Sequence, residues 1–437
     1  MTWAPCPEEI TKSWPATADM SANGCHIADV RWLVTQEVYA TGGVACTSMT
    51  SPPAPRPPST GRVVLFGATG YTGRLTTEAM VRAGLAPVLA GRSAAKLSSL
   101  VAELAPFAPL DAAPTWQVAD VSDQQSVDAL LTGPQDVLVT TVGPFTQLGA
   151  PAITAAIRAG ASYVDSTGES PFIREVFESY GAQAAITGAR LLTAFGYDFV
   201  PGNLAGALAL QQARAKGAVP TRVEIGYFVG GDSFGMSSGT KASAAAIMLA
   251  PSFAFSRGRI NTERTARSTS TFQVDGKALD GLSVGGSEHF ALPRLDQSLQ
   301  DVGVYLGWAG KATKAASAAS GVMSAAARIP GLSKLIDEGL KAAVGETTGL
   351  GPTPRQLSAT NSIAVARTFD GVGRSLSSVQ IIGPSPYLLT AELLAWAAAM
   401  CLVHPTPTGG AFGPVDAFGL DNLVQGCADM GLVPVAT

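Results

Sequence analysis

The run "VVLFGATGYTGR", residues 63–74, constrains this chain more than any other stretch. A short apolar, β-prone segment leads into Gly67, Gly70 and Gly73, and "YTGRLTTEAMVRAGL" then continues with helical spacing. A turn from strand into helix takes backbone angles that a side chain blocks. The backbone must also approach a pyrophosphate closely while the helix packs tight on the strand. The helix N-terminus then offers free N–H groups and a positive dipole end to phosphate oxygens. Glycine triplets alone are common, but one that follows a first strand and opens a helix predicts a dinucleotide cradle. Its members here are Gly67, Ala68, Thr69, Gly70, Tyr71, Thr72 and Gly73.

The pattern repeats downstream. "APVLAGR" (86–92), "TWQVADVSD" (115–123), "DVLVTTVGPF" (136–145), the end of "APAITAAIRAGASYVDSTGE" (150–169) and "ARLLTAFGYDF" (189–199) read as further strands. Helical segments separate them, which predicts an α/β fold with a Rossmann-type doubly wound parallel sheet over 61–202. After about residue 203 the segments "RVEIGYFVGG", "STSTFQVDG", "SEHFALPRL" and "NSIAVARTFDG…GRSLSSVQIIG" read as antiparallel strands. They predict a second α+β domain with a mixed sheet over 203–385. Residues 386–437 are expected to return to the first domain, led by a buried amphipathic helix in "YLLTAELLAWAAAMCLV" (387–403). The Ala/Ser-rich stretch 311–345 reads as a surface helical pair or lid, with a membrane-skimming helix as the alternative. Residues 1–60 read as a disordered extension ending in the proline-rich tether "SPPAPRPPST", and Met49 just before it is a candidate start of translation.

Composition narrows the function. With 14% charged residues and a net charge of −4, a general nucleic-acid binder is not expected. The five cysteines form no CxxC pair and the three histidines are scattered, so neither a disulfide framework nor a metal site is predicted. The expected location is the cytoplasm, with room for a peripheral contact at the plasma membrane.

The cofactor's form is read at the end of the second strand. An Asp or Glu there would hold the ribose 2′-hydroxyl of NAD; this chain has Arg92 and Ser93, and a guanidinium pairs with a 2′-phosphate. NADP(H) is therefore expected. Asp120 closes the third strand and faces either the adenine side or the next helix as its N-cap. Val142, Gly143 and Pro144 end the fourth strand, where they can lie against the ribose or nicotinamide, and Thr167 ends the fifth.

"GATGYTGR", "AGRSAAKL", "VGPF", "YVDSTGE", "GYDFVPGNLAG" and "SSGTKASA", in that order, resemble the saccharopine dehydrogenase-like oxidoreductases, and within them the trans-acting enoyl reductases of actinobacterial lipid synthesis. The resemblance runs from about 61 to 420. It implies a nicotinamide cofactor, a homodimer, and reduction of an enoyl group on a small-molecule or carrier-bound lipid or polyketide substrate.

For that chemistry the strand-end loops offer Tyr197 as a phenol that could donate a proton, then Asp198, and Lys241 with Ser238 and Thr240 at a probable helix start. Asp165 and Glu169 could act as acids or cap the following helix, Tyr197 could be a pocket wall, and Lys241 a solvated helix residue. No Tyr-x-x-x-Lys dyad follows the fourth strand. A carbon–nitrogen oxidoreductase acting on an amino acid would need converging arginines, whereas Arg257, Arg259, Arg264 and Arg267 fall in one polar stretch. A non-catalytic NADP sensor is the remaining alternative.

Overall fold

A computed structural model describes residues 61–108, 113–231, 250–307, 351–404 and 408–435, with isolated positions between 313 and 321. Strands β1 (Val63–Phe66), β2 (Val88–Gly91), β3 (Thr115–Val118), β4 (Val137–Thr140), β5 (Ser162–Asp165) and β6 (Arg190–Leu192) alternate with helices, as the sequence predicts. β1 and β4 are buried at every position, the mark of strands covered on both faces. The later strands are β7 (Arg222–Gly230), β8 (Pro251–Ser256), β9 (Arg259–Arg264), β10 (Thr269–Val274), β11 (Lys277–Ser283), β12 (Asp301–Leu306), β13 (Asn361–Phe369), β14 (Ser375–Gly383), β15 (Gly410–Ala411) and β16 (Val433–Val435).

The first sheet runs β15-β6-β5-β4-β1-β2-β3, and all its pairings are parallel. Strand order reverses between β1 and β4, so the carboxyl ends of those strands bound the crevice where a doubly wound sheet takes its ligand. The second sheet runs β10-β11-β12-β7-β13-β14-β16, with β8 and β9 attached at β12. It is mixed, because β7 pairs parallel with β12 and antiparallel with β13. One continuous apolar cluster, from Leu65 and Val139 to Ile225 and Ile381, joins both sheets.

The C-terminal segment serves both sheets: β15 extends the first beside β6, and β16 pairs with β14 at the edge of the second. Its helix Pro386–Val403 is not amphipathic, for no residue along it is exposed. By length and composition it is apolar enough to cross a membrane, but here it packs against helix Tyr71–Arg82 and strands β4 and β5. A helix apolar on all sides is a core element when protein surrounds it. Ser385 caps its start, accepting from Leu388 N, and Glu392 pairs with Arg82 at 2.5 Å.

One other expectation needs correction. "SEHFALPRL" is not a strand but lies mostly in helix Glu288–Leu295. Glu288, His289, Ala291 and Leu292 are its buried residues, a helical spacing that the apparent alternation concealed. The polar stretch holding Arg257, Arg259 and Arg264 is the β8–β9 hairpin, with Arg257 in the turn at φ 53°. The lid expected over 311–345 lies outside the described residues but for isolated positions.

Leu393 is fully buried in the 386–403 helix. Leu393→Ala should cost about 3 kcal/mol, seen as a lower urea midpoint; a cost below about 1 kcal/mol would mean that this helix is not core.

Candidate active site

The cradle forms where β1 ends. Gly67 sits at φ 92°, and a Cβ there would lie 2.8 Å from Thr141 Oγ1 and 2.9 Å from Val142 Cγ2. A Cβ on Gly73 would lie 2.1 Å from the Gly67 carbonyl oxygen, so only glycine lets helix Tyr71–Arg82 start this close to the strand. Gly70 differs: its φ is −77°, and a Cβ would meet only Gly67 O, at 3.4 Å. The protein itself therefore tolerates a side chain at Gly70, and the glycine keeps the approach from outside open. Thr69 and Gly70 are exposed, and the N–H groups of Tyr71, Thr72 and Gly73 precede the first helical bond, Arg74 N to Gly70 O. These groups fit a pyrophosphate. Ala68 is buried, its N–H donating with that of Gly67 to Ala90 O. The Tyr71 side chain is not part of the cradle: its hydroxyl donates to Pro352 O at 2.7 Å and its ring stands edge-on to Tyr387.

At the end of β2, Arg92 is exposed and Ser93 caps helix Ala94–Leu104. Across from Arg92, Asp120 Oδ1 accepts from Ser122 N and Oγ at 2.9 and 2.8 Å. Those bonds, helped by the Arg92 charge, hold the Asp120 carboxyl below the usual range. The helix cap is Asp123, not Asp120, which makes the turn out of β3. An exposed guanidinium at the end of β2 with no acidic residue beside it in sequence fits a 2′-phosphate.

The β4 and β5 exits are clamped together. Glu169 accepts from Phe145 N at 2.9 Å, Thr146 N at 3.0 Å and Thr146 Oγ1 at 2.7 Å. It thus caps the helix Phe145–Leu148 that precedes it in the chain, not the one that follows, and it holds Val142, Gly143 and Pro144 in place. Asp165 is likewise occupied, accepting from Thr167 N, Ala194 N and Thr193 Oγ1 at 2.8–2.9 Å and tying β5 to β6. Burial pushes its carboxyl up to about 6. Thr167 is fully buried and its Oγ1 accepts from Glu169 N, so its side chain does not face the cofactor. The partly open residues of this loop are Ser166 and Gly168.

Beyond Gly168 lies the loop after β6. The Tyr197 hydroxyl donates to Phe228 O at 2.8 Å, and burial beside Asp198 holds its proton far more tightly than usual. Tyr197 is therefore a wall and not a proton donor. Asp198 is partly exposed, its Oδ2 lies 3.5 Å from where a Cβ on Gly168 would sit, and its enclosed Oδ1 has no partner among the described residues. Desolvation raises its carboxyl to about 7. Lys241, Ser238 and Thr240 lie outside the described residues. Sequence reading missed Glu288, fully buried behind this loop and hydrogen-bonded at 2.6 Å to Tyr227, because its helix had been taken for a strand. It also missed Thr141, whose hydroxyl donates to Gly67 O at 3.2 Å. No group of three or more potential metal ligands occurs among the described residues.

Residues 63–190 match the family model of the saccharopine dehydrogenase NADP binding domain. The chain is 41% identical over 146 residues to a trans-acting enoyl reductase of Mycobacterium leprae, covering 32% of this chain and 34% of that one. A trans-acting enoyl reductase of Mycobacterium tuberculosis is 40% identical over the same length, with the same coverage. A further protein of that organism is 39% identical over 180 residues, 40% of this chain and 42% of that one. The aligned part thus spans less than half of these relatives. Saccharopine dehydrogenase (L-Glu forming) of Saccharomyces cerevisiae shares the fold at a TM-score of 0.53 and 14% identity, over 86% of this chain and 100% of that one.

The glycines separate fold from binding. Gly73→Ala should fail to fold or melt far lower, whereas Gly70→Ala should melt like wild type without ligand and lose most of the stabilisation that NADPH confers. Thermal melts with and without NADPH check this, and equal behaviour of the two variants would overturn it. Residues 63–190 match the saccharopine dehydrogenase NADP binding domain, and the chain shares the fold of saccharopine dehydrogenase.

Proposed function

We propose that this chain is an NADPH-dependent oxidoreductase that reduces the double bond of a carrier-bound enoyl thioester of lipid or polyketide synthesis, acting in trans. The observation that carries the reading is Asp198, a partly exposed carboxyl beside Gly168 whose Oδ1 has no partner among the described residues and which desolvation raises to about 7. Enoyl reduction needs a hydride at the β-carbon and a proton at the α-carbon, and NADPH supplies the hydride when bound. The chain's own residues do the rest. First-turn N–H groups hold the pyrophosphate and Arg92 pairs with the 2′-phosphate. Glu169 fixes the loop of Gly143 and Pro144, and Asp198 gives its proton to the α-carbon. Lys241, Ser238 and Thr240 are the proposed donors to the thioester carbonyl. A homodimer in the cytoplasm, with any membrane contact peripheral, belongs to the same reading.

The relatives named trans-acting enoyl reductase support the substrate class. An amino-acid substrate is less well supported, because the arginines of the second sheet are committed within the chain: Arg264 donates to Ala266 O and Ser320 Oγ, Arg267 pairs with Glu263, and Arg222 and Arg367 both pair with Glu224.

NADPH absorbance followed against enoyl thioesters, keto acids with amines, and no substrate tests the reading. Acceleration by the thioesters alone is expected; acceleration by keto acid with amine, or NADPH binding without turnover, would overturn it. Arg92→Ala should weaken NADPH by about ten-fold or more and leave NADH nearly unchanged; equal loss for both would undo the 2′-phosphate assignment. Because the protonated form of Asp198 acts, turnover should fall as pH rises through about 7. Asp198→Asn should slow turnover by roughly 10²-fold and remove that limb.

A further inference from the structure

Behind Asp198 stands a second carboxyl. Glu288 is fully buried; its Oε2 has no hydrogen-bond partner among the described residues, and its Oε1 touches Tyr227 Oη at 2.6 Å. The same Tyr227 oxygen receives the Gly202 N–H at 2.8 Å and lies 3.0 Å from the carbonyl oxygen of Phe199. Glycines enclose the carboxyl: a Cβ on Gly286 would lie 2.4 Å from Oε2, and one on Gly202 would lie 2.5 Å from Oε1.

The tyrosine has one proton for two oxygen neighbours. A carbonyl only accepts, so donation to Phe199 O leaves the Glu288 contact to be made by a proton on Glu288. With a neutral acid all three contacts are hydrogen bonds: Gly202 N–H to Oη, Oη–H to Phe199 O, and Oε1–H to Oη. With an ionised carboxylate the tyrosine proton turns to Glu288. The Phe199 carbonyl, which also accepts from Asn203 Nδ2 at 2.9 Å, then loses the tyrosine's proton, and a charged Oε2 is left buried without a donor among the described residues.

We propose that Glu288 is held as a neutral carboxylic acid that donates to Tyr227 and serves as the uncharged partner of Asp198, so that the negative charge left by substrate protonation rests on Asp198 alone. The inference rests on the enoyl-reduction reading for its role, though not for the protonation itself. As hydride adds to the β-carbon, the Asp198 proton moves to the α-carbon; Asp198 becomes a carboxylate and is reprotonated from solvent. Glu288 keeps its proton throughout, as a positioning residue. Through Tyr227 it holds the Phe199 carbonyl, and with it the turn that carries Asp198.

The surroundings agree. Burial, augmented by the Asp198 charge, pushes the Glu288 carboxyl up to about 8, above the value of about 7 for Asp198. A negative charge on Asp198 disfavours ionisation of Glu288. Tyr227, on β7, and Asp198 are the titratable groups facing it. His289, next on the helix, sets Nδ1 against Gly286, and burial lowers it to about 4, so it is neutral. From the packed elements, helix Val200–Ala215 presents Asn203, which bonds Ser287, and β8 presents Phe253 to His289. The nearby arginines are committed elsewhere, Arg214 to Asp296 and Arg294 to Asp416.

Infrared spectra of the full chain, without NADPH or substrate, read the protonation directly, so this test survives failure of the enoyl-reductase reading. At pH 7 the wild type should show a buried carboxylic-acid component, beside that of Asp198, which Glu288→Gln removes and Asp198→Asn retains. In Asp198→Asn that band should titrate at lower pH than in wild type, which keeps the test open if Glu288→Gln folds poorly. In turnover, Glu288→Gln should leave the alkaline limb at the same pH. An acid-band region that Glu288→Gln leaves unchanged, or a limb shifted downward by Glu288→Gln, would each show Glu288 to be charged and overturn the proposal.

Discussion

The contact between Gly73 and the carbonyl of Gly67 sets the position of everything around the site. No side chain fits between them, so helix Tyr71–Arg82 lies directly on the end of β1. The apolar helix Pro386–Val403 packs on it, held by the Tyr71–Tyr387 contact and the Arg82–Glu392 pair. Further along that second helix, Thr390 Oγ1 accepts from Tyr197 N, and Gly196 is the residue small enough to pass it. One close approach in the cradle is thus transmitted through two helices to the loop that carries Asp198.

The carboxylates around the crevice show how environment assigns roles to like side chains. Glu169 and Asp165 each accept at least three hydrogen bonds, and both are spent on holding strand exits together. Asp198 and Glu288 each keep one oxygen without a donor among the described residues, and burial raises them further than it raises Asp165. A carboxylate supplied with donors is a structural clamp, while one deprived of them stores a proton. Tyrosines divide in a similar way: Tyr197 is committed to Phe228 O, whereas Tyr227 is the hub between Glu288, Gly202 and Phe199.

The parallel sheet was legible because each of its elements carries a local signal. Apolar β-prone runs are bounded by Gly or Asp, and helical spacing lies between them. The β13–β14 hairpin was equally plain. Glu288 was not, because "SEHFALPRL" alternates over its first residues and contains Pro293, which argues against helix. Only packing against helix Val200–Ala215 and β12 made it helical. The β8–β9 hairpin was hidden by polar side chains on an edge of the sheet, where burial imposes no pattern.

By itself the sequence determined the cofactor cradle, since glycine spacing, helix start and Arg92 are short-range features whose physics is complete within a few residues. Tertiary structure alone decided which polar groups remain free to act. Whether a carboxyl is a clamp or a proton store depends on partners that come from elsewhere in the chain, Phe145 and Thr146 for Glu169, Thr193 and Ala194 for Asp165, and Tyr227 for Glu288. Those partners meet only when the strands are stacked, because hydrogen bonds and desolvation act over a few ångströms in space and take no account of distance along the chain.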